Sequence, residues 1–127
     1  LRSGLLTSEK LDEAFVDANN DLVADAPKDA KELLDPEVLR FATLDRDLEK
    51  ANANWKEFFA HFLKVTGKKI ELVETSSTAS GTAEDLRDGK LHLASFSTGA
   101  VPLGVNQGGF QPVCVMADKD GKFEYQM

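Results

Sequence analysis

Hydrophobic and polar positions divide this chain into an acidic stretch with no clear period and a longer part in which two periods alternate. From Val38 to Leu44 the apolar residues crowd into a run that predicts a strand. Trp55, Phe58, Phe59, Phe62 and Leu63 then recur at helical spacing and mark one stripe expected to be buried. Thr66-Gly67 supplies the stop, because glycine suits the left-handed cap of a helix. Lys68 to Val73 alternates as a second strand. A short helix carrying Ala83 and Leu86 ends at Asp88-Gly89, and Leu91 to Phe96 is a third strand candidate. Ser97-Thr98-Gly99 opens a further helix that runs to about Gln107, where Gly108-Gly109 breaks it. Pro112 to Ala117 is expected to be a fourth strand, and 118–122 a hairpin turn into Phe123 to Gln126.

Strands alternating with helices of this length imply right-handed βαβ units. The expected fold class is therefore α/β, a mainly parallel sheet with flanking helices. No internal repeat is visible. The last strand candidate runs to Met127, so more chain is expected beyond it. Residues 1–37 form an acidic extended arm and 38–127 the α/β unit. Within the arm Pro27 and Pro36 punctuate a stretch poor in large apolar groups, which can order only by lying on another surface. Asp17, Asn19 and Asp21 are spaced like the opening of a calcium loop. Leu22 stands where that loop needs glycine and Lys28 where it needs a bidentate glutamate, so a solvated turn is the better reading.

Composition narrows the function. With 22 acids against 15 bases the net charge is -7, and no basic stripe exists to displace counterions from nucleic acid. A small anionic ligand stays open, since local donors matter there more than total charge. No apolar run is long enough to span a bilayer, and Leu1 to Leu6 is too short for an intact signal peptide. Cys114 lies in an apolar run and is expected to be a plain buried thiol.

A parallel sheet sends its strand-to-helix turns to one edge, where ligands bind at the point of reversed strand order. Three turns reach it here: Asp45-Arg46-Asp47, Thr75 to Thr78, and Ser97-Thr98-Gly99. The latter two offer what an oxyanion needs, namely free amides at a helix start and hydroxyls beside them. Ser97, Thr98 and Gly99 are the foremost candidate ligand donors, followed by Ser76, Ser77 and Thr78. Simple helix capping is the competing reading of both turns. Asp45 and Asp47 are expected to orient donors or exclude dianions. Catalytic constellations are missing: His61 and His92 have no partner at metal-ligand spacing, and no nucleophile elbow or phosphate loop occurs. No enzyme activity, metal or cofactor is expected.

Three passages carry a resemblance. Phe62 to Val73, with Thr66-Gly67-Lys68-Lys69 at its centre, joins a helix to a strand. Ala83 to Ala94 contains Leu86-Arg87-Asp88-Gly89-Lys90, and Phe96-Ser97-Thr98-Gly99-Ala100 follows it. In this order and spacing, Leu39 to Gln126 resembles the opening of the phosphonate/phosphite/phosphate ABC-transporter substrate-binding proteins. Two features depart from that family: no aromatic stands in Ser77 to Ser80, and the turn after the first strand is short and charged.

The resemblance implies the first lobe of a type II periplasmic-binding-protein fold, located in the periplasm. It also implies a small phosphorus oxyanion held between two lobes, and a membrane permease as partner. A ligand-sensing module of a signalling protein, or a small α/β enzyme acting on a phosphorylated substrate, are the alternatives. A strand-swapped homodimer through Phe123 to Met127 is a further expectation, because an unpaired strand edge invites such pairing.

Overall fold

A computed structural model describes residues 11–75 and 78–123. Its centre is a parallel sheet of three strands: β1 (Val38–Ala42), β2 (Lys69–Leu72) and β3 (Leu93–Ala94), in the order β2-β1-β3. Helix α1 (Leu48–Thr66) joins β1 to β2, α2 (Ala79–Arg87) joins β2 to β3, and α3 (Val101–Gly108) follows β3. The chain thus moves from β1 to one side, then crosses to the other. Right-handed crossovers in opposite directions put α1 and α2 on opposite faces of the sheet.

Side-chain alternation along β1 fits that arrangement. Phe41 is buried with Ala51 of α1 and Leu72 of β2, and Leu48, Trp55, Phe59, Ile70 and Leu93 pack around them. The Phe41 ring meets Trp55 edge-on, with centroids 4.9 Å apart and planes at 82°, the geometry the ring quadrupole favours. Arg40 and Ala42 point to the other face. There Arg40 donates from Nη2 to the carbonyl of Gly89, just beyond α2, at 2.6 Å. On that side α2 and α3 lie so close that a Cβ on Gly108 would sit 3.1 Å from the Ala83 carbonyl oxygen.

α1 ends where its sequence predicts, and it begins on a capping aspartate. The Asp47 carboxylate accepts from the Lys50 amide at 3.0 Å, satisfying one orphan donor of the first turn. At the other end Gly67 has φ 74° and its amide donates to the Leu63 carbonyl. The apolar stripe of α1 is only partly covered, however. Trp55, Phe59 and Phe62 are half-buried, whereas Phe58 and Leu63 are exposed, because no element among the described residues packs on that flank.

Three further expectations need correction. β3 is two residues long where Leu91 to Phe96 was expected, since its single neighbour, β1, itself ends at Ala42. Pro112 to Ala117 forms no strand: Val113, Val115 and Met116 are exposed, and among the described residues no neighbouring strand pairs with them. Cys114 in the same run is exposed rather than buried. The turn at 118–122 does form, with Asp118 bonded main chain to main chain with Lys122 and Gly121 at φ 75°. Residues 124–127, and with them the expected last strand and strand swap, lie outside the described residues.

Residues 11–37 contain one 3-10 turn, Ala30–Glu32, and no strand. Residues 12–24 lie against α2, α3 and the residues that follow α3, whereas Asp35, Pro36 and Glu37 are bonded to Lys68 and Lys69 at the start of β2. The Asp12 amide donates to the Asn106 carbonyl at 2.8 Å, and Asp12 also pairs with Arg87. Phe15 lies over Gly109, where a Cβ would come within 2.4 Å of its ring. The Gln111 side chain reaches the Ala24 carbonyl. Asp17, Asn19 and Asp21 spend their side-chain oxygens on backbone amides of their own turn, and no metal-binding cluster occurs among the described residues.

His92 closes the β1–β3 ladder in an unusual way. Its amide donates to the Arg40 carbonyl, while its ring Nδ1 accepts from the Arg40 amide at 2.9 Å. Burial, and then the nearby Arg40 charge, hold this imidazole below its usual pKa of 6.5. Protonation at Nδ1 would also set a donor against a donor.

Two outcomes follow for stability. Gly67→Ala should cost about 1 kcal/mol in urea unfolding, because the added Cβ meets open space and only the left-handed φ is penalised. For His92 the unfolded chain takes up a proton near pH 6.5 while the fold resists it. Stability should therefore fall as pH drops through that value and level off below the folded pKa. His92→Asn should show a smaller loss between about pH 7.5 and 5.5 when unfolding is followed by circular dichroism.

Candidate anion-binding cleft

All three strands are parallel, so their carboxyl ends share one edge, and main-chain bonds hold the loops that leave it together. The Val73 amide donates to the Phe41 carbonyl at 3.0 Å, and the Ser95 amide to the Ala42 carbonyl at 2.9 Å. Both acceptors lie on β1, so the start of each outer loop is pinned to the central strand. The space between the loops is an open cleft of about 370 Å³. It sits where strand order reverses about β1, the position at which open α/β sheets bind ligands.

Each of the three turns expected at this edge contributes to the wall. Thr43, Leu44, Asp45 and Arg46 come from the β1–α1 turn; Glu74, Thr75 and Thr78 come from the β2–α2 turn; Ser95, Phe96 and Ser97 follow β3. Thr78 and Ser97 thus face one space. Thr98 and Gly99 lie beside it, exposed in the 3-10 turn Thr98–Ala100, and do not line the cleft. Ser76 and Ser77 lie outside the described residues.

Hydrogen bonding separates capping residues from available ones. Thr78 is the N-cap of α2: its Oγ1 accepts from the Gly81 amide at 3.1 Å. Asp47 caps α1, and Asp45 accepts from the Asp47 amide at 3.3 Å, so both acids bond to the backbone of their own turn. Ser97 differs. It opens the 3-10 turn without a side-chain capping bond, which leaves its hydroxyl available to a ligand. The long helix expected to start at Ser97 is split, because α3 begins only at Val101 with a proline in its first turn, where the missing N–H is no loss.

Two contributors escaped the sequence reading. Ser95 was counted as part of a strand, yet it lines the cleft past the end of β3. Arg46 was grouped with its acidic neighbours, yet it is the one cation among the described lining residues and has no ion-pair partner there. The signal was available: it is an arginine in the turn after a strand on the loop-bearing edge. Arg46 offers a fork of charged donors, the Ser95 and Ser97 hydroxyls can add to it, and Asp45 and Glu74 supply acceptors to the same wall.

An open cleft at the carboxyl edge of a doubly wound sheet, furnished with hydroxyls and one free guanidinium, describes a ligand-binding α/β lobe. Residues 41–127 match the family of the ABC transporter, phosphonate, periplasmic substrate-binding protein. The chain belongs to this family, and its sheet and three helices are part of one lobe of the type II periplasmic-binding-protein fold. Comparison with curated proteins and with solved structures gives no match. Among the described residues no helix is long and apolar enough to cross a membrane.

Arg46 is exposed and contributes little to folding, so its replacement should separate binding from stability. Arg46→Ala should weaken affinity for a small oxyanion about 10- to 100-fold, the loss of one charged hydrogen-bonding group, and leave the thermal midpoint nearly unchanged. Calorimetric titration beside a melting curve checks both.

Proposed function

We propose that this protein captures a small phosphorus oxyanion (phosphonate, phosphite or phosphate) in the cleft at the carboxyl ends of β1, β2 and β3, and hands it to the membrane permease of an ABC transporter. The observation that carries the reading is the convergence of Arg46, Ser95 and Ser97 on one cleft at the strand-order reversal, in a chain of this family. Ser97, Thr98 and Gly99, with Ser76, Ser77 and Thr78, remain the candidate ligand contacts. Of these, Ser97 has the strongest case, because its hydroxyl is not spent on a cap. Thr98 and Gly99 can contribute once the exposed 3-10 turn shifts toward a bound anion.

An open cleft on one lobe holds an anion weakly, since water competes for every donor. Capture between two lobes removes that competition, and a ligand that touches both favours the closed state by its differential affinity. Asp45 and Glu74 then act in selection. Their charge opposes a fully ionised dianion and favours a ligand that brings a hydrogen-bond donor of its own.

Isothermal titration of the intact protein with phosphate, phosphite and methylphosphonate tests this function. Saturable binding of at least one of them, weakened by Ser97→Ala, is the expected result. Heat changes no larger than dilution for all three would reject the ligand class.

A further inference from the structure

Behind the cleft wall, on the last turns of α2, sits a carboxylate that does not itself line the cleft. Asp85 is about a quarter exposed, at 23%, and its Oδ2 accepts a hydrogen bond from Thr75 Oγ1 at 2.8 Å. Thr75 is a lining residue, half-buried in the loop after β2. On its outer side Asp85 Oδ1 meets the Lys90 ammonium at 3.4 Å. Its main-chain carbonyl accepts from the Lys90 and Leu91 amides at 2.9 and 3.0 Å, which anchors the residue in the turn toward β3.

A hydroxyl has one proton and two lone pairs, and a carboxylate can only accept. Within this pair Thr75 must therefore be the donor, and its single proton points away from the ligand space. What Thr75 has left to offer the cleft is lone-pair density. Serine and threonine at such edges are ordinarily counted as anion donors, but a hydroxyl whose proton is held by a carboxylate has none to give an anion.

We infer that Asp85 is a positioning residue that turns Thr75 into a hydrogen-bond acceptor, so that the cleft selects an oxyanion still carrying a proton over one carrying none. The inference rests on the proposed oxyanion site. Hydrogen phosphate has a P–OH to donate to Thr75, and sulfate has no such group. Glu74 and Asp45, acceptors on the same wall, act in the same direction, and Asp85 adds to them without touching the ligand.

The test compares phosphate with sulfate on the intact protein, by isothermal titration, in wild type, Asp85→Ala, Asp85→Asn and Thr75→Val. Wild type should favour phosphate. Asp85→Ala should lower the phosphate-to-sulfate affinity ratio about tenfold, one hydrogen bond's worth, because the Thr75 proton becomes free to donate to sulfate. Asp85→Asn should keep most of the ratio, since its amide oxygen can accept the same bond. In a Thr75→Val background Asp85→Ala should change the ratio no further, a coupling that a purely structural role for Asp85 would not produce. Equal ratios in wild type and Asp85→Ala, with phosphate still bound, would overturn the inference and leave the proposed function standing. A wild type that binds neither phosphate nor any other phosphorus oxyanion would overturn both. Where Asp85→Ala does not fold, Thr75→Val alone decides: an unchanged ratio overturns the assignment, and a lowered one supports it.

Discussion

Two main-chain hydrogen bonds, Val73 to Phe41 and Ser95 to Ala42, hold the cleft together. They end the ladders on either side of β1 and bind the start of the two outer loops to adjacent residues of that strand. Phe41 and Ala42 can serve this way because the end of β1 is buried on both faces: the Phe41 ring is packed into the α1 core, and Ala42 is 2% exposed on the other side. A small side chain at 42 leaves room for the cleft directly above it, and Ala42 is itself part of the lining. Rigidity at this point is inherited by every hydroxyl and charge on the rim.

From that constraint follows a division of labour among polar groups of similar appearance. Thr78 and Asp47 are spent on the backbone of their own turns, and Asp45 gives one of its two carboxylate oxygens to its own. Thr75 is spent on Asp85. Ser97 and Arg46 are left available to a ligand. Hydroxyl count along the edge is therefore a poor guide to donor count. The N-terminal residues contribute indirectly, by covering α2 and α3 and so fixing the layer against which the β3 loop is placed.

Much of the framework was legible because it is periodic or punctuated. The helical recurrence of aromatics from Trp55 to Phe62, the glycine stop at 67 and the alternation of Lys68 to Val73 each reflect local physics that tertiary structure did not override. The strand expected at Pro112 to Ala117 has the right residues, but a strand is a pairing and no partner strand is present among the described residues. The same cause exposes Cys114, whose burial was inferred from its apolar neighbours. At the rim the edge itself was legible, as was the likeness to the family over 41–127. Ser95 was hidden by its strand-like surroundings and Arg46 by flanking acids. Asp85 lies ten residues from Thr75, at a separation that no local pattern reveals.

The central claim is that one strand edge, organised by the last two residues of β1, is where the ligand sits. Backbone amide shifts recorded while methylphosphonate is titrated into the intact protein test it most directly. The account predicts that, within this lobe, the largest changes fall in 43–46, 73–75 and 95–100, with the far ends of the strands unmoved. Saturable binding with those three segments silent would contradict it.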